Sequence, residues 1–273
     1  MTNRTSQPPE YTMGYSEEFQ LLLRRRSVES HAFHLLPHLK PGMRVLDFGC
    51  GPGTLSVGLA KAIEPGEMHG IDVEASQIEI AQNAAEAGGH MNATFHVGNA
   101  AELPFEDGYF DVAHCHTVLM HIPDTQAVLA EVKRVLKPGG IIASRELIGA
   151  SCFLEPNREE FDTAWQVFLR LLDANGGHSE MGKALKNGFI EAGFTDIQAT
   201  LSFDSFGSAE DIAFLHSFIG GWFFMPEVVA AAIQYGLATQ QLFEEVRVAL
   251  DEWSEEAGAV GGLAFGECIA RKP

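Results

Sequence analysis

Apolar positions along this chain follow two rhythms. Short apolar runs at 43–48, Met68–Val73, Ala93–Gly98, Tyr109–His116 and Ile141–Arg145 read as strands. Between them, apolar residues recur at helical spacing over Leu55–Ala62, Ser76–Ala87 and Asp124–Leu136. Strand–helix alternation of this kind predicts a parallel sheet with helices on both faces, joined by right-handed crossovers. Ahead of it, residues 1–12 read as an arm, and Ser16–Leu39 as one helix, capped by Ser16 with Glu17 and Glu18 in its first turn. After Glu146 the rhythm changes. Helices are predicted at Arg158–Leu172 and Ser179–Ala192, split by Asn175-Gly176-Gly177, then a strand over 196–206, a helical stretch over 208–257 and a last strand over 263–270. The expected organisation is an N-terminal arm and helix (1–40), a core (41–147) and a remainder (148–273) carrying helical insertions at about 151–180 and 207–260.

The first strand runs into Gly49-Cys50-Gly51-Pro52-Gly53 and then into a helix. Such a turn brings the backbone close to a ligand and aims free N–H groups at it, at the position where open α/β sheets bind their ligands. A dinucleotide fold would show GxGxxG; here the spacing is GxGxG, with Asp47 two residues before the first glycine. The second strand ends in an acidic residue, Asp72, able to accept hydrogen bonds from two ribose hydroxyls in either kind of fold.

Composition narrows the field. A net charge of −19 argues against nucleic-acid binding, which calls for a basic patch. The one basic cluster, Arg24-Arg25-Arg26, reads as a solvated helix face. Cys50, Cys115, Cys152 and Cys268 form no CxxC pair, so a reducing, cytoplasmic setting is expected, with no disulfide framework. No apolar run reaches the roughly 18 residues of a membrane span.

Five motifs, VLDFGCGPGT at 45–54, HGIDVEASQIEIAQ at 69–82, GNAAELPFEDGYFDV at 98–112, VLMHIPD at 118–124 and EVKRVLKPGG at 131–140, stand in an order and spacing that resemble the class I S-adenosylmethionine-dependent methyltransferases. The likeness is to the group containing the ubiquinone/menaquinone-biosynthesis methyltransferases. It is close over about 40–147 and weak outside. It implies a Rossmann-like, seven-stranded, mostly parallel sheet with an antiparallel last strand and helical cap insertions. It implies S-adenosylmethionine as methyl donor, S-adenosylhomocysteine as product and a small or medium organic acceptor. By the same resemblance, Gly49, Cys50 and Gly51 flank the methionine portion, Asp47 anchors the turn, Asp72 takes the ribose and Val73 packs on the adenine. Asn99 and Ala100 stand where the family usually has Asp-Ala and read the adenine edge, His116 contacts the methionine end, and Tyr15 folds over the cofactor.

His121 is the candidate general base, should the acceptor need one, and Arg145-Glu146 are expected to face the ligand. His114 reads as a satisfied core histidine, and His116 divides between cofactor wall and structure. With His121 beyond a turn, these three are not a metal set, and no metal is expected. Phe153, Trp165, Phe168, Phe218, Trp222 and Phe223 are candidate walls of an acceptor pocket; the same aromatic helices suit a homodimer surface. The competing reading is a non-methylating protein on this scaffold, a cyclase or regulatory partner that keeps the cofactor site. A nicotinamide dehydrogenase is disfavoured by the glycine spacing.

Overall fold

A computed structural model describes residues 17–273. Its centre is a sheet in the order β3-β2-β1-β4-β5-β8, built from β1 (Arg44–Phe48), β2 (Glu67–Asp72), β3 (Ala93–Val97), β4 (Phe110–His116), β5 (Leu136–Leu147) and β8 (Val260–Arg271). The first five strands pair in parallel and β8 runs antiparallel to β5. β7 (Thr195–Phe206) pairs along the outer side of β8. The three-residue β6 (Phe153–Glu155) continues the line of β5 against the start of β8 and makes an eighth strand where seven were expected.

Helices α3 (Thr54–Ile63), α4 (Ala75–Gly88) and α5 (Thr125–Val135) fill the crossovers. Each buries an apolar stripe against the sheet, such as Leu55, Leu59 and Ile63 of α3. The central strands are buried on both faces, as a sheet covered by helices on both sides requires. The segment Lys137-Pro138-Gly139-Gly140 lies within β5 rather than before it. Phe110 pairs with Leu136 and Val112 with Ile141, so the four residues form a local irregularity that the left-handed Gly139 accommodates.

The single N-terminal helix expected from the sequence is broken. α1 (Glu17–Arg24) ends before an extended Ser27, and α2 (Val28–His31) begins again after it. The cause is tertiary: Arg25 reaches Asp211 at 2.6 Å and lies 4.3 Å over the Phe214 ring. The arginine triplet is therefore not a uniformly solvated face.

Beyond β5, α6 (Glu159–Ala174) and α7 (Met181–Glu191) precede β7, and the expected long helical stretch resolves into α8 (Ala209–Trp222), α9 (Pro226–Gln234) and α10 (Gln240–Ser254). Pro226 opens α9, since a proline fits the first helical turn but not an interior. α8 starts with a reciprocal cap, Ser208 with Asp211. Helices α6, α8 and α10 pack together over the ends of β6 and β8 through a cluster that includes Phe161, Leu215 and the fully buried Trp253.

Candidate functional site

At the carboxyl end of β1 the chain turns through Gly49, Gly51 and Gly53, all left-handed. Gly49 and Ile71 are tied by a 2.7 Å backbone hydrogen bond, and the Gly51 N–H donates to Asp72 Oδ2 at 2.9 Å. A Cβ on Gly49 would stand 2.5 Å from a Val118 methyl, so that glycine serves the packing of the β4 end. A Cβ on Gly51 would meet nothing closer than Leu23 at 3.9 Å and would project into open space beside the turn.

That space is a cavity of about 680 Å³ along the ends of β1, β2 and β4. Asp47, Gly49, Cys50, Gly51, Asp72, Val73, Asn99, Ala100 and His116 all line it. Tyr15 lies outside the described residues. Asp72 also accepts the Glu74 N–H; burial raises its pKa, and the Glu74 and Gly51 N–H bonds work against that rise. Asn99 Oδ1 receives the Ala101 N–H at 2.9 Å, leaving its second lone pair and its amide NH₂ for other partners.

Asp47 is buried and accepts hydrogen bonds from the Ser56 hydroxyl and, at 2.9 Å, from the His114 ring. It thus pins β1 to α3 and β4. Burial drives the Cys50 thiol pKa well up, so this cysteine is no thiolate nucleophile. His116 packs edge-on against His31, and among the described residues neither of its ring nitrogens has a hydrogen-bond partner.

A second cavity, of about 180 Å³, adjoins the first and is overwhelmingly apolar. Phe153, Trp165, Phe168, Phe218, Trp222 and Phe223 all line it. Four residues line both cavities: Phe19, Arg26, Thr117 and His121. Arg26, which sequence reading left on a solvated face, is the one Lys or Arg among the described residues of either wall. The signal that could have singled it out is the break after Arg26, visible only once Arg25 has found its distant partner.

Arg145 and Glu146 do not face the ligand. Glu146 is buried and accepts the N–H groups of Val118, Leu119 and Met120 at 3.0, 3.0 and 3.2 Å, fixing the loop that carries Thr117 and His121. Arg145 is fully buried, bound to Ser202, Asp204 and Glu267 and lying 3.7 Å over the Phe265 ring. Both belong to β5, which runs two residues past its predicted end at Arg145 and is flanked by β8, which supplies Glu267.

Burial pushes His121 down to about 4, helped by the Arg26 charge, and His34 down to about 3, helped by His114 and Arg145. His116 is pushed well below its ordinary value by burial and then by Arg26. All three are neutral at pH 7. The unfolded chain takes up protons on them as pH falls below about 6.5, while in the folded chain His121 does so only near pH 4 and His34 near pH 3, and burial opposes protonation of His116 in the same direction. Their contribution to stability is therefore complete above about 6.5 and declines as pH falls toward 4, by up to about 1.4 kcal/mol per pH unit for each histidine. Glu146, raised by burial, contributes with the opposite sign. Urea melts at pH 7.5 and 5.5 should show a lower midpoint at 5.5; equal midpoints would contradict the burial of these rings.

Residues 39–176 match the family model described as a methyltransferase domain. An uncharacterized methyltransferase of Schizosaccharomyces pombe, C1B3.06c, is 29% identical over 269 residues, spanning 90% of this chain and 91% of that one. The demethylmenaquinone methyltransferase of Bacillus pumilus is 35% identical over 112 residues, 41% of this chain and 48% of that one, so the match spans about half of its length. Among solved structures, a Haemonchus contortus phosphoethanolamine N-methyltransferase 2 in complex with S-adenosyl-L-methionine superposes with a TM-score of 0.53 over 86% of this chain and 49% of that one. At 17% identity that likeness shows the fold. The chain belongs to the methyltransferase domain family, as a class I S-adenosylmethionine-dependent methyltransferase.

Proposed function

We propose that this protein transfers a methyl group from S-adenosylmethionine to a small, largely apolar organic acceptor. The observation that carries the reading is the junction: a cavity beside the glycine turn, the more polar of the two, and an aromatic cavity meet at Phe19, Arg26, Thr117 and His121. The more polar cavity fits the donor. Gly51 leaves its wall open, Asp72 offers a carboxylate at the end of β2, and Val73, 66% exposed, presents an apolar edge to a purine. Asn99 and Ala100 border the same end and would read the purine edge. At the other end, the Arg26 guanidinium complements the one carboxylate that the donor carries, on its amino-acid portion.

When bound, S-adenosylmethionine supplies an electrophilic methyl group on a sulfonium sulfur. The chain's own part is alignment and exclusion of water. The aromatic wall holds the acceptor, and the loop fixed by Glu146 sets Thr117 and His121 at the meeting point. A His121 pKa of about 4 lies some six units below a phenol of pKa about 10, so this imidazole is a poor proton acceptor. Being neutral, it places no second positive charge beside the sulfonium.

Calorimetry with S-adenosylhomocysteine, followed by incubation with methyl-labelled donor and a panel of aromatic acceptors, tests the reading. Binding with label transfer is expected. Binding without transfer to any acceptor would favour the non-methylating alternative, and absence of binding would remove both. Arg26→Met is expected to weaken S-adenosylhomocysteine about 10- to 100-fold, the worth of a charge-assisted hydrogen bond. An unchanged affinity would detach Arg26 from the donor.

A further inference from the structure

Thr117 is one of two non-glycine residues with positive φ among the described residues, at +53°. For a β-branched side chain this is a strained backbone, and it persists only where the surroundings hold it. Here they do. The Thr117 N–H donates to the Arg145 carbonyl at 2.8 Å, and the next three N–H groups are gathered by Glu146. The strain sits where β4 ends, at the boundary of the two cavities.

What that conformation fixes is the direction of one proton. The Thr117 hydroxyl donates to the carbonyl of His116 at 2.7 Å. A hydroxyl has a single proton and two acceptor lone pairs. With the proton committed to the backbone, only acceptor capacity is left to face the junction. The aromatic wall beside it is apolar, and the other polar side chains at the junction are Arg26, assigned above to the donor's carboxylate, and the neutral His121. At Thr117 a hydrogen-bond donor on the ligand is thereby satisfied, whereas a group with lone pairs alone meets lone pairs and gains no hydrogen bond from that hydroxyl.

We propose that Thr117 is a specificity-determining residue of the acceptor pocket: its hydroxyl receives a hydrogen bond from an O–H of a planar apolar acceptor and selects hydroxylated aromatics over their ethers. This rests on the aromatic cavity being the acceptor site.

Trp165 and Trp222 line that cavity and report occupancy by fluorescence. Binding of 1-naphthol and of 1-methoxynaphthalene is measured on the full chain saturated with S-adenosylhomocysteine. The native chain is expected to prefer the naphthol by about tenfold or more. In Thr117→Val that preference should fall to within about twofold, with the ether affinity nearly unchanged, and Thr117→Ser should restore it. Should the valine variant not fold, Thr117→Ala against Thr117→Ser makes the same comparison. A preference that survives loss of the hydroxyl, or equal binding of the two probes by the native chain, overturns the proposal. Failure of S-adenosylhomocysteine to bind the native chain is a different result and strikes at the methyl-transfer reading.

Discussion

Replacing Arg145 with methionine is expected to lower the unfolding free energy by about 3–5 kcal/mol, the usual cost of removing one partner from a buried ion pair. The guanidinium lies between Asp204 on β7 and Glu267 on β8, at 2.8 and 3.3 Å, and Glu267 is nearly as inaccessible as Arg145 itself. Methionine would keep much of the contact with the Phe265 ring while leaving two carboxylates without their cation. Thr200 and Ser202 would still donate to Glu267, and His31 would still face Asp204, so the loss is less than complete unpairing. Chemical denaturation reads the effect directly. A loss below about 1 kcal/mol would mean that the hydroxyls and His31 carry these acids without help. Removing Glu267 as well, as Arg145→Met with Glu267→Leu, should recover part of the stability, since an apolar pair of similar volume often matches a buried ionic one.

The second large effect belongs to Asp72. Asp72→Ala removes the carboxylate proposed to hold two ribose hydroxyls, and also the acceptor for the Gly51 and Glu74 N–H groups that shape the turn. At about 1.5–3 kcal/mol for each hydrogen bond to a charged group, two such bonds amount to a loss of at least about 100-fold in S-adenosylhomocysteine affinity. Asp72→Asn separates the two roles. Its amide oxygen can still accept from one backbone N–H, so the fold should survive while affinity falls. Calorimetry beside a thermal melt distinguishes the cases; full affinity in the asparagine variant would take the ribose away from Asp72.

Much of the sheet was legible because its signals are local. Strand–helix alternation, the glycine turn and the acid closing β2 each depend on residues within a short span. Six of the aromatics that line the second cavity were expected as walls of an acceptor pocket, though not as one side of a junction. What the sequence hid depends on partners far along the chain. Arg25 breaks a helix because of Asp211, 186 positions away. Arg145 is drawn inward by Asp204 and Glu267, and Glu146 is consumed by the N–H groups of a loop 26 to 28 residues earlier. Counting from the end of a predicted strand placed both on the ligand side. The strand runs on to Leu147, and its last residues are enclosed by β8. Arg26 was obscured for the same reason, since a triplet of like charges on an uninterrupted helix has no reason to turn inward.

The α1 helix and the residues just after it supply Phe19, Leu22 and Arg26 to the aromatic compartment, and Phe19, Leu23 and Arg26 to the more polar one. A partition shared in this way makes the two occupancies thermodynamically interdependent. Whatever free energy the first ligand spends in ordering that wall, the second need not spend again, and the gain is reciprocal. The Arg25–Asp211 contact ties this wall to α8, which also lines the aromatic cavity, so under the proposed reading α8 would take part in the same coupling.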